Sequence, residues 1–169
     1  HVGPSHYVSH PEIAKMNKLV SIAALTLSMS VAGIAVAEQL KPEEQILTRQ
    51  AGYSFMSWNM GKIKANLEGE FSQPQVAAAA NAIAGIANSG MGALYGPGTD
   101  KDIGDVKTRV KPELFTEQEK VGEVARNFIQ AANNMAEVAA MAESPEDVKS
   151  AFGKLGESCK GCHDEFRKD

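Results

Sequence analysis

The pentapeptide Cys159-Lys160-Gly161-Cys162-His163, close to the C-terminus, constrains this chain more than any other stretch. C-x-x-C-H is the attachment pattern of a c-type haem. The two thiols add across the vinyl groups of the macrocycle, and the adjoining imidazole takes the iron. The spacing has a geometric reason. On a helix, positions 159 and 162 are neighbours one turn apart, so both sulfurs can reach one edge of a flat ring. His163 follows directly and carries its imidazole under the same plane.

The remaining inventory narrows the reading. The chain has 2 cysteines, both in this motif, and 4 histidines. His1, His6 and His10 precede Met16, which leaves His163 as the only imidazole of the main body. A zinc site would need about four ligands, typically with a second Cys/His pair at similar spacing. A thioredoxin-like C-x-x-C belongs to a βαβ context, whereas this one ends a helical pattern. A disulfide between the two cysteines would leave His163 without a role. The expectation is one haem c per chain, covalent through Cys159 and Cys162, with His163 on the iron.

The N-terminal region agrees with that chemistry. Met16-Asn17-Lys18 gives a short basic start, an apolar run follows from Leu19 to about Ala37, and it ends Ala35-Val36-Ala37. This is the layout of a secretory signal peptide with an A-x-A cleavage site. Ser21, Ser28, Ser30 and Gly33 interrupt the run, which favours cleavage over a membrane anchor. Residues 1–15 read as an upstream segment outside the fold, residues 16–37 as the signal, and residues 38–169 as one domain. Export to the periplasm is expected, because bacterial c-type haem is attached outside the cytoplasm. The net charge of −4 argues against nucleic acid and anionic membranes as partners. It leaves room for electrostatic docking with a basic redox partner.

Four amphipathic helices account for the domain. The first starts at Pro42, with Glu43 and Glu44 in its first turn, and carries the stripe Ile46, Arg49, Tyr53, Met56, Met60, Ile63 and Leu67. The second runs from Pro74 to about Asn88 with Val76, Ala80, Ile83 and Ala87 inward. Gly96-Pro97-Gly98 and Pro112 make residues 91–115 a long connection, of a kind that often wraps a ligand. The third helix opens on Thr116-Glu117-Gln118-Glu119 as a capping box, with Val121, Val124, Phe128, Ala131, Met135, Val138 and Ala142 inward. The fourth starts at Ser144-Pro145 and turns Val148, Phe152, Leu155, Cys159, Cys162 and Phe166 inward. The expected fold is all-α, an up-down-up-down four-helix bundle with haem c held inside it near the C-terminus.

At this point the chain resembles the cytochrome c′ family, the class II c-type cytochromes. The likeness rests on the C-terminal Cys159-Lys160-Gly161-Cys162-His163-Asp164, Arg167, Thr48-Arg49-Gln50, Tyr95-Gly96-Pro97-Gly98-Thr99 and Ala151-Phe152-Gly153. It implies a periplasmic homodimer with a five-coordinate, high-spin iron that binds NO and CO on its open side and serves tolerance of NO.

The haem-facing candidates follow from both lines of reasoning. A guanidinium on an inward stripe needs an anion. Arg49, with Gln50 beside it, is therefore assigned to the haem propionates, a pairing the resemblance also implies; the alternative is a solvated helix end. The resemblance puts Tyr53 over the iron, where its ring would restrict access. Met56 is expected to pack against the ring. In low-spin relatives a methionine of the first helix is the sixth ligand, so Met56 also carries the rival reading of an electron-transfer cytochrome with a closed iron. Phe128 is assigned to packing on the macrocycle, and Arg167, four residues after His163, to the proximal side. Trp58 lies off the stripe, in a dimer contact or on the surface. With no nucleophile or acid–base pair apparent, the chain reads as a gas-binding haem protein rather than an enzyme.

Overall fold

Pro42 begins the first helix, as its fixed φ and missing N–H allow, and the computed structural model describes residues 39–169. The signal segment and the three N-terminal histidines lie outside the described residues. Helix α1 spans Pro42–Glu68, α2 Gln73–Ala87, α3 Gln118–Met141 and α4 Pro145–Phe166. They form an all-α, up-down-up-down bundle, with two isolated β-bridges and no strand among the described residues. No described helix is long and apolar enough to cross a membrane.

One end of the bundle is closely packed because its helices meet through small residues. Ala79, Ala80, Ala132 and Ala139 are fully buried, and they bring α2 and α3 together around Ile63, Val76, Met135 and Val148. Two asparagines that the apolar stripe of α1 did not predict are buried as well. Asn59 donates to the Phe55 carbonyl at 2.9 Å, and Asn66 Oδ1 accepts from the Ser72 amide at 2.7 Å, which fixes the turn into α2.

The connection between α2 and α3 is more ordered than a loop reading suggests. It contains two short 3₁₀ turns, Met91–Leu94 and Pro112–Phe115. The second corrects the expected capping box of α3. The Thr116 hydroxyl is drawn back to the Glu113 carbonyl at 3.3 Å, so Glu117 becomes the N-cap and the helix starts at Gln118. Further along, the connection pairs with the end of α4: Lys111 N–H donates to Phe166 O at 2.8 Å, and Lys168 N–H to Arg109 O at 2.7 Å.

The N-terminus of α4 behaves as its sequence predicts. Asp147 accepts from the amides of Glu143 at 2.8 Å and Ser144 at 3.0 Å. These bonds favour its charged form and hold its pKa below the ordinary carboxylate value. A depressed folded-state pKa gives stability that is present above the unfolded pKa and lost as pH falls through the folded one. Asp147→Asn is therefore expected to lower Tm at pH 7, with the gap to the parent protein closing on acidification toward pH 2. Thermal melts across that range check this.

Candidate haem site

Helix α4 carries Cys159, Cys162 and His163 to a cavity of about 1420 Å³ bounded by all four helices and the 88–115 connection. Drug-sized ligands occupy roughly 300–1,000 Å³, so this space suits a larger group. Its walls are mainly apolar: Met56, Met60, Ile83, Ala87, Leu114, Val121, Val124 and Phe128 contribute. Both cysteines are half-buried and lie one helical turn apart. Burial pushes both thiol pKa values up. His163 is half-buried, and its pKa is lowered by burial and by the nearby charges of Arg167 and Arg109. Burial thus favours the neutral imidazole that binds iron.

These features fit a haem. Two thiols on one face reach one edge of a ring, and the next residue offers a nitrogen on the same wall. Among the described residues no three His, Cys, Asp or Glu side chains converge as donors to a metal ion, so the zinc reading finds no ligand set.

Arg49 is 2% exposed, which removes the alternative of a solvated helix end. Its charge meets oxygens of the connection. Nη1 donates to Leu94 O at 3.0 Å; Nη2 donates to Thr99 O at 2.7 Å and to Thr108 Oγ1 at 3.0 Å. Its guanidinium carbon lies 4.3 Å from the centroid of the Tyr95 ring. Burial lowers the Arg49 pKa, but an arginine remains charged at physiological pH. Gln50 is likewise directed at the connection, donating to Lys107 O at 2.6 Å. Gln45 completes the row. Its Oε1 accepts from Gly96 N–H at 3.0 Å, and a Cβ at Gly96 would sit only 2.7 Å from that oxygen. Gly98 turns the chain at φ +83°. The string Tyr95-Gly96-Pro97-Gly98-Thr99 is thus the segment that α1 clasps.

Tyr53 lines the cavity at 39% exposure, and its hydroxyl is 2.8 Å from that of Tyr95. Burial and the neighbouring phenol raise the Tyr53 pKa, so it stays protonated, which disfavours tyrosinate ligation of iron. Met56 touches the cavity but is 7% exposed and belongs to the packed core. Phe128 is half-buried on the cavity wall. Arg167 also lines the cavity, though not by the helical route expected for it. Helix α4 ends at Phe166, and Arg167 is extended at φ −119°, bridged to Val110.

Sequence reasoning missed Tyr95, Gln45, Thr99 and Thr108. The adjacency of Tyr95 to a Gly-Pro-Gly turn was the available signal, but nothing local says that an arginine far earlier in the chain binds there. Arg49→Gln is too short to reach all three oxygens. It is expected to cost about 2–5 kcal/mol of stability and to lose amide protection over residues 94–108. Denaturant unfolding and hydrogen exchange of the holoprotein check both.

Comparison with known proteins identifies the family. The family described as Cytochrome C' matches residues 44–167. A cytochrome c′ from Allochromatium vinosum is 64% identical over 149 residues, covering 88% of this chain and 96% of its own. The solved structure of a cytochrome c′ with an unusual ligand-controlled dimer dissociation is 68% identical at a TM-score of 0.75, covering 77% of this chain and 98% of that one. A nitric oxide complex of a variant cytochrome c prime from Alcaligenes xylosoxidans is 25% identical at a TM-score of 0.67, covering 78% and 100%. This chain belongs to the cytochrome c′ family and is a haem c protein.

Proposed function

We propose that this chain is an exported, periplasmic haem protein that binds small neutral diatomic gases, NO and CO, at an iron held from one side only by His163. Electron-transfer capability accompanies that role, and NO tolerance is the physiological use. The observation that carries the reading is the composition of the wall facing the site from α1. It presents a protonated phenol, Tyr53, bonded to Tyr95, together with Met56, which is buried in the core, and Met60, half-buried on the cavity wall. The structure in complex with nitric oxide of the Alcaligenes xylosoxidans relative supports the class of ligand.

The haem, when bound, supplies an iron that accepts a diatomic ligand and changes oxidation state by one electron. The chain's residues do the rest. Cys159 and Cys162 would hold the ring by one edge through two covalent bonds. His163, its neutral imidazole favoured by burial and by the nearby cations Arg167 and Arg109, would hold the iron. Met60, Val124 and Phe128 keep the pocket apolar, which gives water little stabilisation and costs a neutral gas little. The Tyr53 ring excludes larger ligands. Arg49 still has two of its five N–H donors uncommitted to the connection, and a haem propionate is their proposed partner.

The rival, a low-spin electron carrier with Met56 as sixth ligand, finds less support because Met56 is packed in the core. Export is supported by the A-x-A leader and by the Allochromatium vinosum alignment of 149 residues, which is longer than the bundle itself. For the redox partner, Arg109 and Arg167 line the cavity beside Asp105, while Lys107 is paired with Asp102 at 3.4 Å; the two remaining cations favour an acidic docking face over the basic one that net charge suggested.

Homodimerisation is part of the proposal. Leu47, Phe55 and Trp58 stand 50–59% exposed on α1; Phe55 stacks on Trp58 at 5.6 Å, and Lys62 Nζ is 3.9 Å from the Trp58 ring centroid. Such an apolar stripe on one helix suits a self-complementary two-fold contact. Trp58→Glu is expected to shift the holoprotein to monomer in sedimentation velocity; an unchanged dimer removes α1 from the interface. Anaerobic NO titration of the reduced protein, followed by optical and EPR spectroscopy, tests the main reading. The expected result is a high-spin start and uptake of one NO per chain. A low-spin start that converts to high-spin in Met56→Ala would replace it with the electron-carrier reading.

A further inference from the structure

We propose that Tyr95 is a positioning residue that latches Tyr53 across the ligand-binding side of the site and so sets the rate at which gases enter. The inference rests on the gas-binding reading above and adds to it a second residue and a device.

The latch has a fixed half and a movable half. Tyr95 is the fixed one. Its ring is held by the Arg49 guanidinium, 4.3 Å from its centroid, and by the Phe115 ring at 6.2 Å and a 59° tilt. Its backbone is pinned on both flanks, because Arg49 takes the carbonyls of Leu94 and Thr99. The Tyr95 amide also donates to Gly92 O at 3.2 Å. Swinging the ring away would cost the buried guanidinium its aromatic face. Tyr53 is the movable half. It sits one turn after Arg49 on α1, is 39% exposed, and pairs with no other aromatic ring among the described residues. Its specific tie is the 2.8 Å bond between the two hydroxyls.

Arg49 thus has an effect beyond stabilising the connection. It presents the Tyr95 hydroxyl at the point where Tyr53 can meet it. Both phenols line the cavity. Burial raises both pKa values, so the bond is between neutral groups. A gas entering beneath Tyr53 must turn that side chain aside and break the bond. Steric bulk alone would leave Tyr95 irrelevant; a latch makes the two hydroxyls act as one unit.

The test is a double-mutant cycle on the holoprotein, with CO association to the reduced form followed by flash photolysis. Tyr95→Phe keeps the ring under Arg49 and removes only the bond. One such bond amounts to about a three- to tenfold change in an equilibrium, so Tyr95→Phe and Tyr53→Phe should each raise the association rate by about that factor. The double variant should gain little more than either single one, as expected for two groups sharing one interaction. A second readout does not depend on ligand. Tyr53 and Tyr95 are the only tyrosines after residue 37, so ultraviolet resonance Raman of Tyr95→Phe should show the remaining phenol losing its partner. A parent protein that takes up CO, together with a rate unchanged in Tyr95→Phe, overturns the latch alone. An unaltered tyrosine signature in that variant overturns it as well. A parent protein that takes up no CO overturns the gas-binding reading and the latch together.

Discussion

The Arg49 guanidinium is the interaction on which the site's architecture depends. A charge buried to 2% exposure costs several kcal/mol of hydration. No carboxylate pairs with it among its hydrogen bonds; two backbone carbonyls, one hydroxyl and an aromatic face share the charge. Bonds to a charged group contribute roughly 1.5–3 kcal/mol each, enough together to offset the desolvation. The consequence is geometric. One side chain of α1 gathers backbone from residues 94 to 108 and turns a long connection into a wall of the cavity.

The bundle itself divides into two regimes. Where alanines face one another, between α2, α3 and the start of α4, the helices close on each other and the core is sealed. Toward the other end α3 presents Val121, Val124 and Phe128, all half-buried, and α4 presents Cys159, Cys162 and His163. The same helices that seal one end wall a cavity at the other. The tight end gives the rigidity that holds the attachment motif in place. The open end gives an apolar cavity at the attachment motif.

Much of this was legible in the sequence. The attachment pentapeptide, the four helices and the inward face of α4 all follow from spacing, because helical period and covalent chemistry are local properties. Two kinds of feature were not. The first is competition between neighbours: Thr116-Glu117-Gln118-Glu119 has the composition of a capping box, yet the turn begun at Pro112 claims the threonine first. The second is polar satisfaction across long separations. An arginine on an inward stripe announces that it needs an acceptor, but the sequence does not say which. The acceptors proved to be oxygens of the connection, 45 to 59 residues away. Tyr95 was overlooked for the same reason, since its importance comes from what Arg49 does to its orientation.

On the proposed reading, one face of the ring would be left to a small ligand while His163 alone would occupy the other. Resonance Raman of the reduced holoprotein reads this most directly, because its coordination-sensitive bands report the number and kind of axial ligands at once. The expected signature is five-coordinate and high-spin, with one imidazole nitrogen. A six-coordinate, low-spin signature with sulfur as the second axial donor would contradict it.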